Sequence, residues 1–319
     1  MKTKLNRIEV AAEAENRSGS AVRPVKASAP IRPQQVQPEG HTEIRPGQSI
    51  ELLKELHILT RDGKLNQDSR RKLKQVYHLY QFIEPLMQAV LLQNGQLTLV
   101  DHGAGKSYLG FILYDLFFKA QSERTQECAS VGSHIYGIET RDELVQKSHD
   151  LATRLGFTGM SFLNLSVAQS ITSNALPEQI DIVTALHACN TATDDAIDFA
   201  LKKNAAYIVL VPCCQAEVAA TLKKNKNSAA KLNPLSELWR HPIHTREFGS
   251  QLTNVLRCLQ LEAHGYQVTV TELVGWEHSM KNELIVATYK NLPRQHARDR
   301  LAGVLQTTGL EALQHRFFP

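Results

Sequence analysis

Short apolar runs alternate with amphipathic stretches over residues 95–292, and this alternation organises the chain. Leu97–Val100 is a β-compatible run that ends in an acid and a glycine-rich turn, and apolar residues then recur at helical spacing from Tyr108. Runs of the same kind follow at 133–139, 160–164, 180–186 and 206–211. Strands separated by helices are typical of a parallel sheet with crossover helices, so we predict an α/β domain over 95–292.

The sequence pattern in the last part of this region predicts antiparallel strands. Residues 266–274 and 283–289 alternate apolar and polar side chains around a polar turn, which indicates an antiparallel hairpin. A helix is predicted just before it, over Leu252–Ala263. The long polar segment beyond Gln215 is predicted to be a loop over the end of the sheet, where loops often select substrate.

Three flanking segments carry other patterns. Residues 1–46 are rich in Pro, Ser, Ala, Gln and Arg, which predicts a disordered tail that serves either as a solvated leader or as a basic arm for RNA. Residues 47–94 predict an N-terminal helical cap whose cations at 70–74 are either solvated surface or contacts to an anionic substrate. Residues 293–319 predict a short helical tail packed on the body.

Composition narrows the class of protein. The 319 residues are 42% hydrophobic and carry a net charge of +4, which suits a globular protein and permits a nucleic-acid substrate without requiring one. No apolar signal core lies near Met1, and no stretch is long enough for a membrane span, so we expect a cytoplasmic protein without a membrane partner. The five cysteines have no regular spacing, which indicates reduced thiols.

The glycine-rich turn after the first strand suits a nucleotide-like ligand, because it brings backbone N–H groups to a helix N-terminus. A phosphate-binding P-loop is excluded, since its first glycine would fall at Val100. The dinucleotide fingerprint is incomplete, because Tyr108 stands at its third glycine. The turn alone leaves three possibilities open: an S-adenosylmethionine (SAM) site, a site for another nucleotide such as NAD, or a structural turn.

The pattern acid-x-Gly-x-Gly resembles the first motif of class I SAM-dependent methyltransferases. In that family the glycines pass under the methionine and ribose parts of the cofactor. A terminal strand pair with one reversed member is also typical of the family, so the resemblance implies a Rossmann-like sheet in the order 3-2-1-4-5-7-6 with the last strand antiparallel.

Glu139 ends the second predicted strand, where a carboxylate can accept hydrogen bonds from both ribose hydroxyls. The alternative role is that of an acid capping the next helix, just before Arg141. SAM enzymes usually place a polar side chain after the third strand, against the adenine amino group, and Ser166 or Asn164 could serve.

Two further motifs make the resemblance more specific. His187-Ala-Cys189-x-x-Ala-Thr-Asp194 follows the fourth strand, and Pro212-Cys213-Cys214 follows the fifth. They resemble a branch of the class I methyltransferases that includes eukaryotic tRNA ribose 2′-O-methyltransferases and the methyltransferase-like domain of the glutathione S-transferase C-terminal domain-containing protein. Asn190 departs from the glycine that those proteins often carry. The resemblance implies SAM as the cofactor, bound by Asp101, Gly103, Ala104, Gly105, Glu139, Ser166, Leu186 and His187.

The residues after strands four and five could have several chemical roles. His187 could act as a general base, since imidazole titrates near neutrality. Cys213 or Cys214 could act as a nucleophile. Zinc is disfavoured because the thiols are adjacent and no C-x-x-C is present, so we expect no metal. Buried thiols and a hydrogen-bonded histidine lining the pocket are the structural alternative.

We expect a SAM-dependent methyltransferase with RNA, either tRNA or rRNA, as the acceptor. Arg240, Lys281 and Asn282 are the candidate substrate contacts, because their loops are predicted at the ligand edge of the sheet. The alternatives are a protein or small-molecule acceptor, and a non-catalytic module that keeps the fold and binds RNA or protein. The sequence carries no signal for an oligomeric state.

Overall fold

A computed structural model describes residues 44–119, 132–186, 190–212, 216–225, 234–273 and 283–318. Residues 1–43 of the predicted tail lie outside this part. The described residues contain a seven-stranded sheet close to the predicted positions. Its strands are β1 Thr98–His102, β2 His134–Glu139, β3 Met160–Asn164, β4 Ile182–Leu186, β5 Tyr207–Val211, β6 Tyr266–Glu272 and β7 Glu283–Tyr289.

The strand order confirms the expected topology. The strands lie in the order β3-β2-β1-β4-β5-β7-β6. Strands β1 to β5 pair in parallel, and β7 is antiparallel to both β5 and β6. The chain leaves β1 toward β2 and β3 and returns beside β1 as β4. The carboxyl ends of β1 and β4 therefore border the crevice at which open α/β sheets bind ligands.

Helices cover both faces of the sheet and its ends. They are α1 Ile50–Glu55, α2 Gln67–Asn94, α3 Tyr108–Leu113, α4 Asp142–Leu155, α5 Val167–Thr172, α6 Ala192–Lys202, α7 Glu217–Lys224, α8 Pro242–Glu262, α9 Gln295–Thr308 and α10 Gln314–Phe317. Helix α3 continues as a π-helical turn over Tyr114–Phe118. In the part of the chain that the structure describes, none of the helices has both the length and the apolar character required to cross a membrane.

Alternate residues of each central strand face two separate cores. Leu99 of β1 is fully buried in a core that contains the apolar faces of α1, α2 and α3. Its neighbour Val100 is fully buried in a second core on the opposite face, with Phe199 of α6. Burial on both faces explains why the strands read as continuous apolar runs.

Helix α2 is long and well capped. The Asn66 side chain accepts a hydrogen bond from the Ser69 backbone N–H at 2.8 Å, and the helix ends at Gly95 in the left-handed conformation. Asn94 donates to Asp181 at 3.0 Å, which places the C-terminus of α2 at the amino edge of the sheet. The helix is about 42 Å long, against about 17 Å for β1, so its N-terminal half extends beyond the strand.

Helix α8 is the main departure from the predicted elements. The helix begins at Pro242, ten residues before the predicted start, and α7 and a 3-10 turn at Pro234–Trp239 also interrupt the predicted loop. The helix pattern was obscured because α8 buries polar residues, among them Thr245 and Arg257. A core-facing stripe with polar members lacks the apolar periodicity on which the prediction depended.

Two glycines in helices test this packing. A Cβ at Gly249 of α8 would lie 2.7–2.9 Å from backbone and Cβ atoms of Ala219 in α7, whereas a Cβ at Gly303 of α9 would meet nothing within 4 Å. We expect Gly249→Ala to lower the free energy of unfolding by about 1–3 kcal/mol through overpacking. Gly303→Ala is the matched control, and it should raise that free energy by about 0.5–1 kcal/mol through helix propensity. Urea denaturation measures both, and equal shifts would contradict the packing of α7 on α8.

Candidate functional site

The glycine turn after β1 folds back onto the end of β2. Gly103 and Gly105 have φ values of +69° and +58°, which glycine adopts without strain. Between them, the Ala104 N–H donates to the Ile138 carbonyl at 2.9 Å. The turn is therefore fixed to the neighbouring strand before α3 begins at Tyr108.

Glu139, the last residue of β2, contacts the glycine turn directly. Its Oε2 accepts a hydrogen bond from the Gly105 N–H at 2.9 Å. Its Oε1 accepts from the backbone N–H groups of Thr140 and Arg141, each at 3.0 Å. One carboxylate thus joins the turn after β1 to the two residues that precede α4. Arg141 is the N-cap of α4 and no side chain caps the helix, so the capping role is wrong, whereas the ribose role of Glu139 stays a prediction.

The Arg141 side chain also pairs with Glu139. Its Nε lies 3.0 Å from Oε1 and its Nη2 lies 3.2 Å from Oε2, while the Arg141 side chain is 62% exposed. Burial raises the pKa of the Glu139 carboxyl, but hydrogen bonds and charge from Arg141, with the Gly105 N–H, outweigh this effect and lower it to about 2. The carboxylate is therefore ionised at neutral pH.

Asp101 lies beneath the turn. It is 2% exposed and accepts a hydrogen bond from the Thr184 hydroxyl of β4 at 2.8 Å. Burial raises the pKa of Asp101 to about 7, although hydrogen bonds from Thr184 and from the Gly110 backbone act in the opposite direction. Asp101 joins β1, β4 and α3 below the ligand edge, and its role as a cofactor ligand stays a prediction.

Two buried polar residues at this turn were not singled out from the sequence. His102 is 5% exposed, neither of its ring nitrogens has a hydrogen-bond partner among the described residues, and burial lowers its pKa to about 4. Ser107 is fully buried in the left-handed conformation at φ +53°, and its hydroxyl likewise lacks a described partner. No local sequence signal identifies Ser107, because tertiary contacts impose its left-handed conformation.

Gly110 and Gly137 leave room for the Ser107 side chain because neither residue has a Cβ atom. A Cβ at Gly110 would lie 2.8 Å from the Ser107 hydroxyl oxygen, and one at Gly137 would lie 3.4 Å from it. The conformation of Ser107 is costly for a residue with a side chain. The surrounding elements therefore hold this part of the turn in a conformation that the residue alone would avoid.

Other predicted cofactor residues lie along the same edge. Ser166 is the N-cap of α5, where its hydroxyl accepts from the Gln169 N–H and the Gln169 side chain accepts from the Ser166 N–H. Leu186 is the half-buried last residue of β4. Leu186 ends the strand beside β1 and Ser166 follows the strand beside β2, and their contacts to a cofactor stay predictions.

Several predicted site residues lie outside the described part of the chain, namely His187, Cys213, Cys214, Lys281 and Asn282. Arg240 is described and exposed, and it forms an ion pair with Glu237 at 3.1 Å. The neighbouring Trp239 is buried and stacks on Phe248 at 5.2 Å between ring centroids, so it anchors this segment and offers no face to a base.

The described residues contain no group of three or more His, Cys, Asp or Glu placed to hold a metal ion. Cys258 is the described cysteine, and burial raises its pKa to about 12. Its thiol is therefore protonated at neutral pH and a poor nucleophile.

Comparison with known proteins identifies the domain. Residues 71–221 match the family model of a methyltransferase domain, which covers the glycine turn, Glu139 and β1 to β5. The strand order, with β7 reversed, is the one that the resemblance to class I enzymes implied. Residues 71–221 are therefore similar to a methyltransferase domain, and the strand order is the one expected for the class I SAM-dependent fold.

Curated relatives of this methyltransferase domain share modest identity with the chain. The glutathione S-transferase C-terminal domain-containing protein of Xenopus laevis is 23% identical over 208 residues, which are 60% of this chain and 31% of the relative. The Mus musculus protein of the same name is 24% identical over 247 residues, covering 72% of this chain and 35% of the relative. The chain thus spans about a third of the length of these relatives.

Solved methyltransferase structures are also similar. Magnesium protoporphyrin IX methyltransferase from Synechocystis, with bound SAH, has a TM-score of 0.41 and 17% identity, covering 76% of this chain and 96% of that one. An rRNA methylase from Streptococcus thermophilus has a TM-score of 0.39 and 10% identity, covering 67% of this chain and 96% of that one.

The raised pKa of Asp101 predicts how stability depends on pH. Because the folded state binds the Asp101 proton more tightly than the unfolded state, this residue should lower the free energy of unfolding as the pH rises from about 4 to about 7. The full effect has an upper limit on the order of 4 kcal/mol. Asp101→Asn should flatten this dependence in urea denaturation between pH 5 and pH 8, whereas the exposed control Asp62→Asn should not. Parallel curves for the wild type and Asp101→Asn would contradict the assignment.

Proposed function

We propose that this protein transfers the methyl group of SAM to RNA. The class I family supports the donor, and the geometry at the crevice between β1 and β4 supports its location. The observation that carries the proposal is the 2.9 Å contact between the Glu139 carboxylate and the Gly105 N–H. This contact places an ionised hydrogen-bond acceptor and the glycine turn at the carboxyl edge of the sheet, where open α/β sheets bind ligands.

The residues present fit an adenosyl cofactor. The Glu139 carboxylate can accept hydrogen bonds from two ribose hydroxyls, and the left-handed glycines let a ligand approach the backbone closely. The turn lacks the first glycine of a phosphate-binding loop, which agrees with a cofactor that carries no phosphate. The unsatisfied groups of His102 and Ser107 add polar atoms to this edge. When bound, SAM supplies an electrophilic methyl group on its sulfonium.

Arg141 occupies the positions that the ribose would use. Its guanidinium donates to both oxygens of Glu139, so ribose hydroxyls and the Arg141 side chain compete for one carboxylate. Because Arg141 is largely exposed, its pairing contributes little and can be given up. We infer that the Arg141 side chain leaves Glu139 when the cofactor binds.

This competition predicts opposite effects of two neighbouring substitutions. Glu139→Ala should weaken the binding of S-adenosylhomocysteine by about tenfold or more, because two charge-assisted hydrogen bonds are lost. Arg141→Ala should strengthen it by about two- to fivefold, because a competitor of up to about 1 kcal/mol is removed. Isothermal titration calorimetry measures both dissociation constants.

Glu143→Gln serves as the control, since Glu143 is an exposed carboxylate in the first turn of α4 and should leave the affinity unchanged. Absence of binding by folded wild-type protein, or unaltered binding by Glu139→Ala, would refute the proposed cofactor site.

Positioning accounts for most of the proposed catalysis. In-line transfer from a sulfonium requires the acceptor atom to be aligned with the methyl group, and a base is required only if that atom must lose a proton. We propose His187 as this base because it directly follows β4 in the sequence, and Cys213 or Cys214, which come shortly after β5 in the sequence, as the alternative catalytic group.

A basic surface on the N-terminal helices supports RNA as the acceptor. Seven basic and four acidic residues lie between positions 50 and 74. The seven cations are all exposed, and we call them the α1–α2 basic surface: Lys54, Arg61, Lys64, Arg70, Arg71, Lys72 and Lys74. Clustered Lys and Arg side chains bind nucleic acid through its phosphates.

The α1–α2 basic surface lies near the proposed cofactor site. The Tyr108 hydroxyl, in the first residue of α3 after the glycine turn, donates to the Leu56 carbonyl at the end of α1. Leu73 and Val76 of α2 are buried in the same core as α1. The two helices therefore share one core with α3 beside the turn, which supports this surface as the RNA-binding part of the proposal.

The acceptor proposal predicts methyl transfer from radiolabelled SAM to bulk tRNA or rRNA by the full chain. Lys72→Ala combined with Lys74→Ala should raise the KM for RNA and reduce the salt dependence of RNA binding by roughly two in the logarithmic slope, with kcat unchanged. The matched control is Lys290→Ala with Arg298→Ala, because Lys290 follows β7 at the opposite, amino edge of the sheet. Equal effects of the two pairs, or a wild type that binds S-adenosylhomocysteine and methylates no RNA, would reject the proposal.

A further inference from the structure

Arg257 of α8 is fully buried and joins the starts of several elements at the carboxyl edge. Its Nε and Nη2 donate to the two carboxylate oxygens of Asp194 in the first turn of α6, at 2.6 and 2.8 Å. Nη2 also donates to the Asn190 carbonyl at 3.0 Å. Nη1 donates to the Asn254 side chain at 3.2 Å. These partners belong to α8, to the first turn of α6 and to the segment that leads into α6.

Two asparagines extend this network to other elements. Asn254 donates from Nδ2 to Glu283, the first residue of β7, at 2.7 Å. Asn190, which has a φ of +55°, accepts from the N–H of Ala216 at the start of α7, at 3.3 Å. Because β4 and β5 end at the carboxyl edge and the antiparallel β7 begins there, all three connections meet beside the proposed methyl-transfer site.

A buried ion pair is a weak source of stability, since the desolvation of two charges offsets their attraction. Apolar residues could fill the same space at similar or lower free energy. A guanidinium instead fixes the relative positions of its partners, because its planar N–H donors set both the distance and the direction of several acceptors. Alignment of an acceptor atom with a methyl group depends on such fixed distances.

We propose that Arg257 is a positioning residue that couples the starts of α6, α7 and β7 into one rigid arrangement for methyl transfer. Asp194 anchors the guanidinium, and Asn254 transmits the arrangement to Glu283. The kinetic part of this inference rests on the proposed function, whereas the coupling between the three elements does not.

Asn254 is a better position for the test than Arg257. Removal of the Arg257 side chain would leave the Asp194 carboxylate buried without its ion-pair partner. Asn254→Asp keeps an acceptor for Arg257 and places a carboxylate against Glu283. Combining it with Glu283→Gln restores a donor and acceptor pair, because the glutamine amide can donate to the aspartate. Glu283→Gln alone is the matched control, since its amide oxygen still accepts from Asn254.

Hydrogen exchange on the full chain measures the coupling. Asn254→Asp should accelerate exchange by about tenfold or more at residues 190–194, 216–218 and 283–285, and the double variant should return to within about threefold of the wild type. In the RNA methylation assay, kcat should fall by about tenfold with the S-adenosylhomocysteine dissociation constant little changed, and should recover in the double variant.

The inference is overturned if exchange at the three segments does not rise together, or if kcat falls only in proportion to lost folded protein and is not restored. Should the wild type methylate no RNA, the acceptor proposal fails while the exchange data still decide the coupling. The two failures are therefore distinguishable.

Discussion

The carboxylate of Glu139 is the constraint on which this edge of the molecule depends. It accepts hydrogen bonds from the turn after β1 and from the start of α4, and it stays ionised because the donors outweigh the cost of its burial. The glycine turn, with its left-handed Gly103 and Gly105, is joined to β2 by this carboxylate and by the hydrogen bond from the Ala104 N–H to the Ile138 carbonyl. The proposed adenosyl site depends on the same contact that joins the turn to β2.

Two buried polar groups connect the elements that form the carboxyl edge of the sheet. Asp101 joins β1 to β4 under the turn, and Arg257 joins the segments that follow β4 and β5 to the start of β7. Neither group is an efficient source of stability, since burial of a charge is costly. Both lie within one layer of the carboxyl edge, where fixed geometry matters most for group transfer. Two buried charged groups that contribute little to stability therefore lie close to the edge where the proposed methyl transfer requires alignment.

Strand positions and their order could be predicted because β1 to β5 are buried on both faces and read as apolar runs. The glycine turn and Glu139 were visible for the same reason, as they directly follow such runs. The start of helix α8 was predicted ten residues too late, since the residues that the helix buries include Arg257 and Thr245. Asp194 was noted as the last residue of the motif after the fourth strand, and its pairing with a residue 63 positions away has no local signal. Ser107 was missed because its left-handed conformation is imposed by tertiary contacts.

A crystal structure of the full chain with S-adenosylhomocysteine tests the central claim most directly. The account predicts the nucleoside at the carboxyl ends of β1 and β4, with both ribose hydroxyls about 3 Å or less from the Glu139 oxygens and the Arg141 side chain turned away. Ligand density elsewhere, or a bound ligand with the Glu139–Arg141 pair intact, would contradict it.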